Sequence, residues 1–430
     1  MLKAPPALAG PHEAGRAGVY RRQPSGYRAF IPAPLPPDPP VRIDGALQAL
    51  LSRADLALGR LAGSIETLPD PDLFVLMYVR KEAVLSSQIE GTQSSLTDVL
   101  AAEAKVFAPA LPHDVAEVLN YVAAMNHGLA RLATLPISVR LIPEIHAKLL
   151  QGVRGSHLTP GELRTSQNWI GPAGCTLRDA TFVPPPPAEV PDALGALEHF
   201  LRGRDTLPLL VKIGLAHAQF ETIHPFLDGN GRIGRLLITF LLCEKQMLSK
   251  PVLYLSHYFK RHRQSYYEHL QAVRDAGAFE AWLDFFLTGV IDVSLEAAIT
   301  ARRILLLREQ HRALIADRLG RAAGNGHRTL EYLFAHPIVS VNEVRALTGT
   351  TYPAANQLVE RLAGAGIVAE VTGHARNRRF RYDPYIRLFS EDPSDEAEPR
   401  WPRNGMFSFP HASPLSHHRR RKSSSERPVT

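Results

Sequence analysis

The chain has 430 residues, 45% of them hydrophobic and 21% charged, with a formal net charge of +7. That length exceeds one typical core and predicts two or three globular domains, while the positive excess favours anionic partners without naming one. Two cysteines, Cys175 and Cys243, exclude a disulfide framework and zinc-ribbon spacing; with no signal peptide and no apolar run of membrane-spanning length, the expected setting is cytoplasmic.

Residues 1 to about 40, rich in Pro, Gly and Ala, predict an extended, partly polyproline segment. Beyond it Leu47, Leu50, Leu51, Leu56 and Leu61 support one or two helices, broken at Pro69 to Pro71, and Phe74 to Ser87 reads as the next helix. That helix runs into Ser86-Ser87-Gln88-Ile89-Glu90-Gly91-Thr92. Gly91 suits a left-handed helix cap, whereas the Glu90 carboxylate opposes the helix dipole, so another group is expected to hold it. Helices continue over Val115 to Ala133 and Ser138 to Gln151. Gly161 to Pro172 is less regular, and Thr176 to Val183 alternates as a short strand. Two short runs around Gly171-Pro-Ala-Gly174 read as a hairpin, ended by Pro184 to Pro187.

Leu209 to Ile223 places Leu210, Ile213, His217 and Phe220 at helical spacing. His217 and Glu221 mimic half of a zinc site but lack a third ligand, and read as packing. The next stretch is His224-Pro225-Phe226-Leu227-Asp228-Gly229-Asn230-Gly231-Arg232-Ile233-Gly234-Arg235, running into an apolar helix. Its glycines fit the dinucleotide-binding pattern, but a helix precedes them where that pattern needs a strand. The physical reading is a loop at a helix N-terminus, where unpaired N–H groups attract anions. His224 supplies a base near neutral pH and Asp228 a carboxylate for a hard cation, while Arg232 and Arg235 can grip phosphate oxygens.

Val252 to Phe259 precedes a helix over Arg263 to Arg274, whose Tyr266 and Tyr267 could stack under a base or simply pack. Trp282 to Val290 and Ser294 to Leu307 read as further helices, and Gly320 to His327 as a linker. Thr329 to Phe334, Val341 to Leu347 and Tyr352 to Ala363 then read as three short helices, followed by strands over Gly366 to Thr372 and Arg378 to Tyr382. Residues 391–430 turn from acidic to basic without periodicity and predict a disordered tail.

The stretch from His224 to Arg235 resembles the Fic (Fic/Doc) family signature, His-Pro-Phe-x-Asp/Glu-Gly-Asn-Gly-Arg-x-x-Arg, at every specified position. The resemblance implies an enzyme that moves AMP from ATP onto a hydroxyl side chain of a target protein. By it His224 is the general base and Asp228 the Mg²⁺ ligand. Gly229, Asn230 and Gly231 form the anion nest, Arg232 and Arg235 hold the triphosphate, and Phe226 anchors the loop. Tyr266 and Tyr267 lie where relatives place a nucleotide contact. Ser86, Glu90 and Gly91 match the family's inhibitory motif, which implies that Glu90 pairs with Arg235. The hairpin near Gly171 resembles the family's flap, which pairs with an extended stretch of the target.

The C-terminal helices and strands resemble a winged helix-turn-helix. Arg376, Arg378, Arg379 and Arg381 on its hairpin suit phosphate contact, although winged helices also bind proteins. The expected fold is therefore mostly α: a Fic-type helical core with a small β-hairpin flap, then a winged helix-turn-helix domain. The expected boundaries are 1–40 (Pro-rich), 41–110 (inhibitory helices), 111–310 (catalytic core), 325–390 (winged helix) and 391–430 (tail). Expected partners are ATP and a target protein with an acceptor hydroxyl. DNA, through the winged helix, and a second copy of the chain in a homodimer stay open; no membrane is expected. Two other readings also stay open: AMP removal or another phosphate transfer, and a nucleotide-sensing DNA-binding regulator.

Overall fold

Two helices that are buried on nearly every side set the architecture. The structure, a computed structural model, describes residues 15–68, 70–106, 114–172, 174–203, 206–374 and 376–389; the tail expected at 391–430 lies outside them. A hairpin opens the described chain, β1 (Gly18–Arg22) pairing antiparallel with β2 (Arg28–Pro32). Part of the segment expected to be extended is thus paired strand, and Phe30 in β2 is buried. Helices α1 (Gly45–Glu66), α2 (Pro71–Ile89), α3 (Leu96–Glu103), α4 (Val115–Leu132), α5 (Leu141–Leu149) and α6 (Val190–Arg202) follow. Next come α7 (Leu209–Ile223), α8 (Asn230–Glu244), α9 (Ser256–Arg261), α10 (Arg263–Ala276) and α11 (Phe279–Leu319). The two helices expected between Trp282 and Leu307 are one 41-residue helix, because no Gly or Pro pair interrupts the run.

In α7 every residue from Leu210 to Ile223 is buried, and in α8 nearly every residue from Asn230 to Leu242. A helix wrapped on all sides belongs at the centre of a core. Leu47, Leu51, Ala54, Leu58, Leu61 and Ile65, spaced three or four apart, make the buried stripe of α1, which packs along α11. Among the described residues the expected hairpin near Gly171 is reduced to a single antiparallel bridge between Ile170 and Phe182. The intervening chain instead turns locally, with Cys175 N–H donating to Pro172 O at 3.0 Å and Asp179 N–H to Thr176 O at 3.0 Å.

The expected linker at 320–327 is mostly helix, since α12 (Ala323–Ala335) begins within it. Gly326 lies against Ile315 and Leu319 of α11, so its missing side chain serves close packing, not flexibility. Helices α13 (Val341–Thr348) and α14 (Tyr352–Gly364) follow. An antiparallel sheet β3-β5-β4 combines β3 (Ile338–Ser340), β4 (Ala369–Glu370) and β5 (Arg379–Arg381), and α15 (Asp383–Ile386) closes the described chain. Phe334 packs on Phe74 of α2 with ring centroids 5.0 Å apart, and Phe389 on Tyr78 at 5.2 Å. Among the described residues no helix is long and apolar enough to cross a membrane.

Candidate active site

The loop between α7 and α8 is shaped by hydrogen bonds within its own residues. His224 ends α7 in the left-handed region (φ 50°), its N–H donating to Phe220 O at 3.0 Å. Gly229, at φ 77°, starts α8. Between them Asn230 clamps the turn: Phe226 N–H donates to Asn230 Oδ1 and Asn230 Nδ2 donates to Phe226 O, both at 2.8 Å. Phe226 is fully buried and its ring stacks on His146, with centroids 3.8 Å apart. Gly161 N–H donates to His146 Nδ1 at 2.8 Å, so His146 Nε2 carries the proton and donates to Asp228 O at 3.0 Å. Burial holds that imidazole neutral, its pKa lowered to about 4.

Two guanidiniums cover the carbonyl end of α7, where the helix dipole favours cations. Arg164 is buried; its Nε donates to His224 O at 2.9 Å and its Nη2 to Pro185 O at 2.5 Å. Arg274 Nη2 donates to Glu221 O at 3.2 Å, and its guanidinium lies 3.8 Å from the centre of the Phe182 ring. Burial lowers the pKa of both arginines to about 10, which leaves them charged at neutral pH. Burial, then Arg274 and Arg164, lowers the His224 pKa to about 3. His224 therefore presents a neutral imidazole, and its buried Nδ1 has no hydrogen-bond partner.

Ser86, Glu90 and Arg235 come together. Arg235 Nε donates to Ser86 Oγ at 2.8 Å, and Arg235 Nη2 donates to Ser86 O at 3.0 Å and to Glu90 Oε1 at 2.5 Å. The Glu90 carboxylate rests against Gly231, where a Cβ would overlap Oε1. Burial would raise its pKa, but Arg235 outweighs that and holds it below the usual carboxylate value. Gly91 follows with φ 99°, as a left-handed cap requires. Glu82, two turns earlier on α2, is buried and receives Tyr121 Oη at 3.2 Å and Ser256 N–H at 3.2 Å. Burial pushes it up to about 7.

Arg232 points elsewhere. It is 1% exposed and its Nη1 donates to Glu117 Oε2 of α4 at 3.1 Å. Asp228 is partly exposed, and its Oδ1 accepts the Gly229 N–H at 2.6 Å. Among the described residues no group of three or more His, Cys, Asp or Glu could hold a metal. A cation here would share one protein carboxylate with phosphate oxygens, a donor set that suits Mg²⁺. Tyr266 is buried, stacked on Phe259, with its hydroxyl 2.8 Å from His217 Nε2, so it belongs to the core and offers no free face. Tyr267 is 41% exposed and remains available to a base.

Sequence reading missed Glu117, His146, Arg164, Asn168 and Arg274, all of which hold the loop or its arginines. Asn168 Nδ2 donates to Phe226 O at 2.8 Å. Arg164 and Asn168 lie in an irregular stretch without periodicity, and the others look like ordinary helix residues. On the C-terminal hairpin, Arg378 pairs with Glu360 at 3.2 Å, Arg379 with Glu343 at 2.9 Å, and Arg381 with Asp383. Those three arginines, expected to suit phosphate, are turned to carboxylates of the same chain.

Fold and loop together define a mostly helical protein built round a glycine turn at a helix N-terminus. Residues 48–130 match the family described as Fic/DOC family N-terminal, and residues 136–242 match the Fic/DOC family. The chain carries the paired domains of the Fic/DOC family. It is 43% identical over 70 residues to a probable protein adenylyltransferase of Aquifex aeolicus (strain VF5), covering 16% of this chain and 22% of that protein. It is 29% identical over 206 residues to the protein adenylyltransferase Fic of Aedes aegypti, covering 44% and 37% respectively. The chain thus spans well under half the length of these relatives. A solved Fic family protein from Desulfovibrio desulfuricans G20 matches with TM-score 0.53 and 22% identity, over 80% of this chain and 97% of that one. At that identity the likeness concerns the fold.

Proposed function

We propose that the chain is a protein adenylyltransferase, moving AMP from Mg·ATP to a Ser, Thr or Tyr hydroxyl of a target protein, and that Glu90 restrains it. The observation that carries the reading is the contact of Glu90 with both Arg235 and Gly231, a carboxylate seated where an anionic ligand would bind. In this reaction the acceptor oxygen bonds to the α-phosphorus as the bond to pyrophosphate breaks, and the acceptor proton passes to His224. Neutral His224 is in the form a base needs. The N–H groups around Gly229 to Gly231, with Arg235, would take the growing negative charge. When bound, Mg²⁺ would neutralise phosphate oxygens, held by Asp228. Tyr267, near Arg235, is the aromatic we assign to the base.

Strand pairing with the target is left with one bridge, Ile170 to Phe182, as its template. DNA contact is not part of the proposal, since three of the hairpin's arginines pair with carboxylates of the same chain. The domain limits 41–110, 111–310 and 325–390 serve as working boundaries, with a cytoplasmic setting matching the two free cysteines. The test is incubation of the purified chain and a cell lysate with ATP labelled at the α- or the γ-phosphate. Transfer of α-label alone supports the reading. Transfer of γ-label, or release of AMP from a modified protein without transfer, would replace it with the other phosphate chemistries.

A further inference from the structure

Arg232 stands between two carboxylates. Its Nη1 is 3.1 Å from Glu117 Oε2 and its Nη2 is 3.6 Å from Asp228 Oδ1, while its buried Nε has no partner. Glu117 is itself 6% exposed at its side chain and is approached from the other side by Arg154, at 3.4 Å. Arg154 is 61% exposed and is followed by Gly155, which lies directly against Asp228 Oδ2. The four side chains thus form a line of alternating charge, Arg154, Glu117, Arg232 and Asp228, along the floor of the loop.

We propose that Glu117 is a positioning residue: its shorter contact draws Arg232 toward α4, limits the hold of Arg232 on Asp228 to the longer 3.6 Å pair, and so leaves the Asp228 carboxylate able to take the cation of the nucleotide complex. This rests on the Mg·ATP reading of the site. An acidic residue in the first turn of a helix is an ordinary feature, stabilised by the dipole. That role needs no partner, yet Glu117 is buried and spends its carboxylate on Arg232. Because Arg232 is enclosed, it cannot turn to water if Glu117 loses its charge. The carboxylate already paired with Arg232 on its other side is Asp228, and a closer arginine fork on Asp228 competes with a cation for the same oxygens. Without Glu117, more Mg²⁺ is then needed to seat the nucleotide.

The experiment measures binding of a fluorescent, non-hydrolysable ATP analogue to the full chain as a function of Mg²⁺, and again in EDTA. For Glu117→Gln the half-saturating Mg²⁺ rises on the order of tenfold, within the range usual for coupled sites, while binding in EDTA is unchanged or tighter. Glu117→Asp, which restores the charge, returns the Mg²⁺ dependence toward the parent. In an Arg232→Met background, where no cation can turn to Asp228, Glu117→Gln has no further effect on Mg²⁺. A role confined to folding would lower the thermal midpoint and weaken binding equally with and without Mg²⁺, and that result overturns the proposal. An unchanged Mg²⁺ dependence in a folded Glu117→Gln protein overturns it too. Failure of the parent chain to bind the analogue under any condition would overturn the nucleotide reading itself, and this role with it.

Discussion

Replacing Glu90 by glycine is expected to raise the initial rate of AMP transfer by about 30- to 150-fold, and the estimate follows from one ion pair. Glu90 Oε1 lies 2.5 Å from Arg235 Nη2, with Arg235 almost wholly buried. A close pair with charge centres about 4 Å apart is worth about 4 kcal/mol at an effective dielectric of 20. The Glu90 side chain is 31% exposed, and solvent screening reduces the figure to about 2–3 kcal/mol. That energy favours the arrangement in which Arg235 and the face of Gly231 are taken. ATP must displace the carboxylate or bind with its phosphates out of line, and misplacement affects turnover more than affinity. Deleting the carboxylate removes the competitor while Ser86 still orients the guanidinium through its Oγ and carbonyl.

The sign of the pH dependence is fixed by the same pair. A carboxyl held below its ordinary value stays ionised throughout pH 6 to 8, so the pair is complete there and breaks only as pH falls below the carboxylate range. The gain from Glu90→Gly should therefore be flat between pH 6 and 8. The assay is initial-rate α-phosphate labelling of wild type, Glu90→Gly, Arg235→Ala and the double variant. Arg235→Ala should not reproduce the gain, since it removes the restraint's anchor and the phosphate's partner together. A Glu90→Gly rate at or below wild type, in a protein that binds ATP, would refute the reasoning.

Three further outcomes are expected. Side-chain NMR resonances of His146, His217 and His224 should not titrate between pH 8 and 5 in the free protein, because burial lowers their pKa values to about 4, 3 and 3; a titration near pH 6.5 would contradict this. Bulk stability is the wrong readout, because buried Glu82 and Glu221, both pushed up to about 7, take up protons over the same range and offset the histidines. Arg164→Met removes the donor of Pro185 O, at about 1–3 kcal/mol, and leaves His224 O with the longer 3.4 Å bond from Asn168 Nδ2, so it should lower both the denaturation midpoint and the transfer rate; an unchanged rate would separate the loop from its clamp. Phe334→Ala should cost about 3–5 kcal/mol in chemical denaturation, since its ring is fully buried against Phe74 of α2; a loss under 1 kcal/mol would show that the contact is not formed in solution.

The parts of this molecule legible in the sequence are those whose physics is local. The left-handed cap at Gly91, the helix N-terminus at the glycines after Asp228 and the helical pattern of α1 each follow from a few neighbouring residues. The pairing of Glu90 with Arg235 bridges 145 positions and became readable only through the family pattern. Where no such pattern exists, the partners stayed hidden: Glu117 for Arg232, Arg164 for His224 O, and His146 beneath Phe226. Each is an ordinary residue type whose meaning comes from the element packed against it. The flap is shorter than expected for a related reason. Alternation over Thr176 to Val183 is compatible with a strand, but a strand needs a partner ladder, and among the described residues that ladder is the Ile170–Phe182 bridge.

The same distinction decides how the C-terminal unit should be regarded. Glycines at 320, 324 and 326 suggest a joint between independent parts, and on that view removing everything after Leu319 would leave the catalytic chemistry untouched. Packing argues otherwise. Tyr78 touches Phe389 and its hydroxyl donates to Ala297 O of α11 at 3.1 Å, while Phe74 meets Phe334. Both residues sit on α2, the helix that ends at Glu90. Truncation would bare two aromatic rings on the element that presents the restraining carboxylate. It would also remove the contacts that fix the helix's first half, while Ser86, one turn before Glu90, still holds Arg235. Any change in activity on truncation would therefore be a property of α2, not of a lost catalytic group, because none of the side chains placed at the loop lies beyond Leu319.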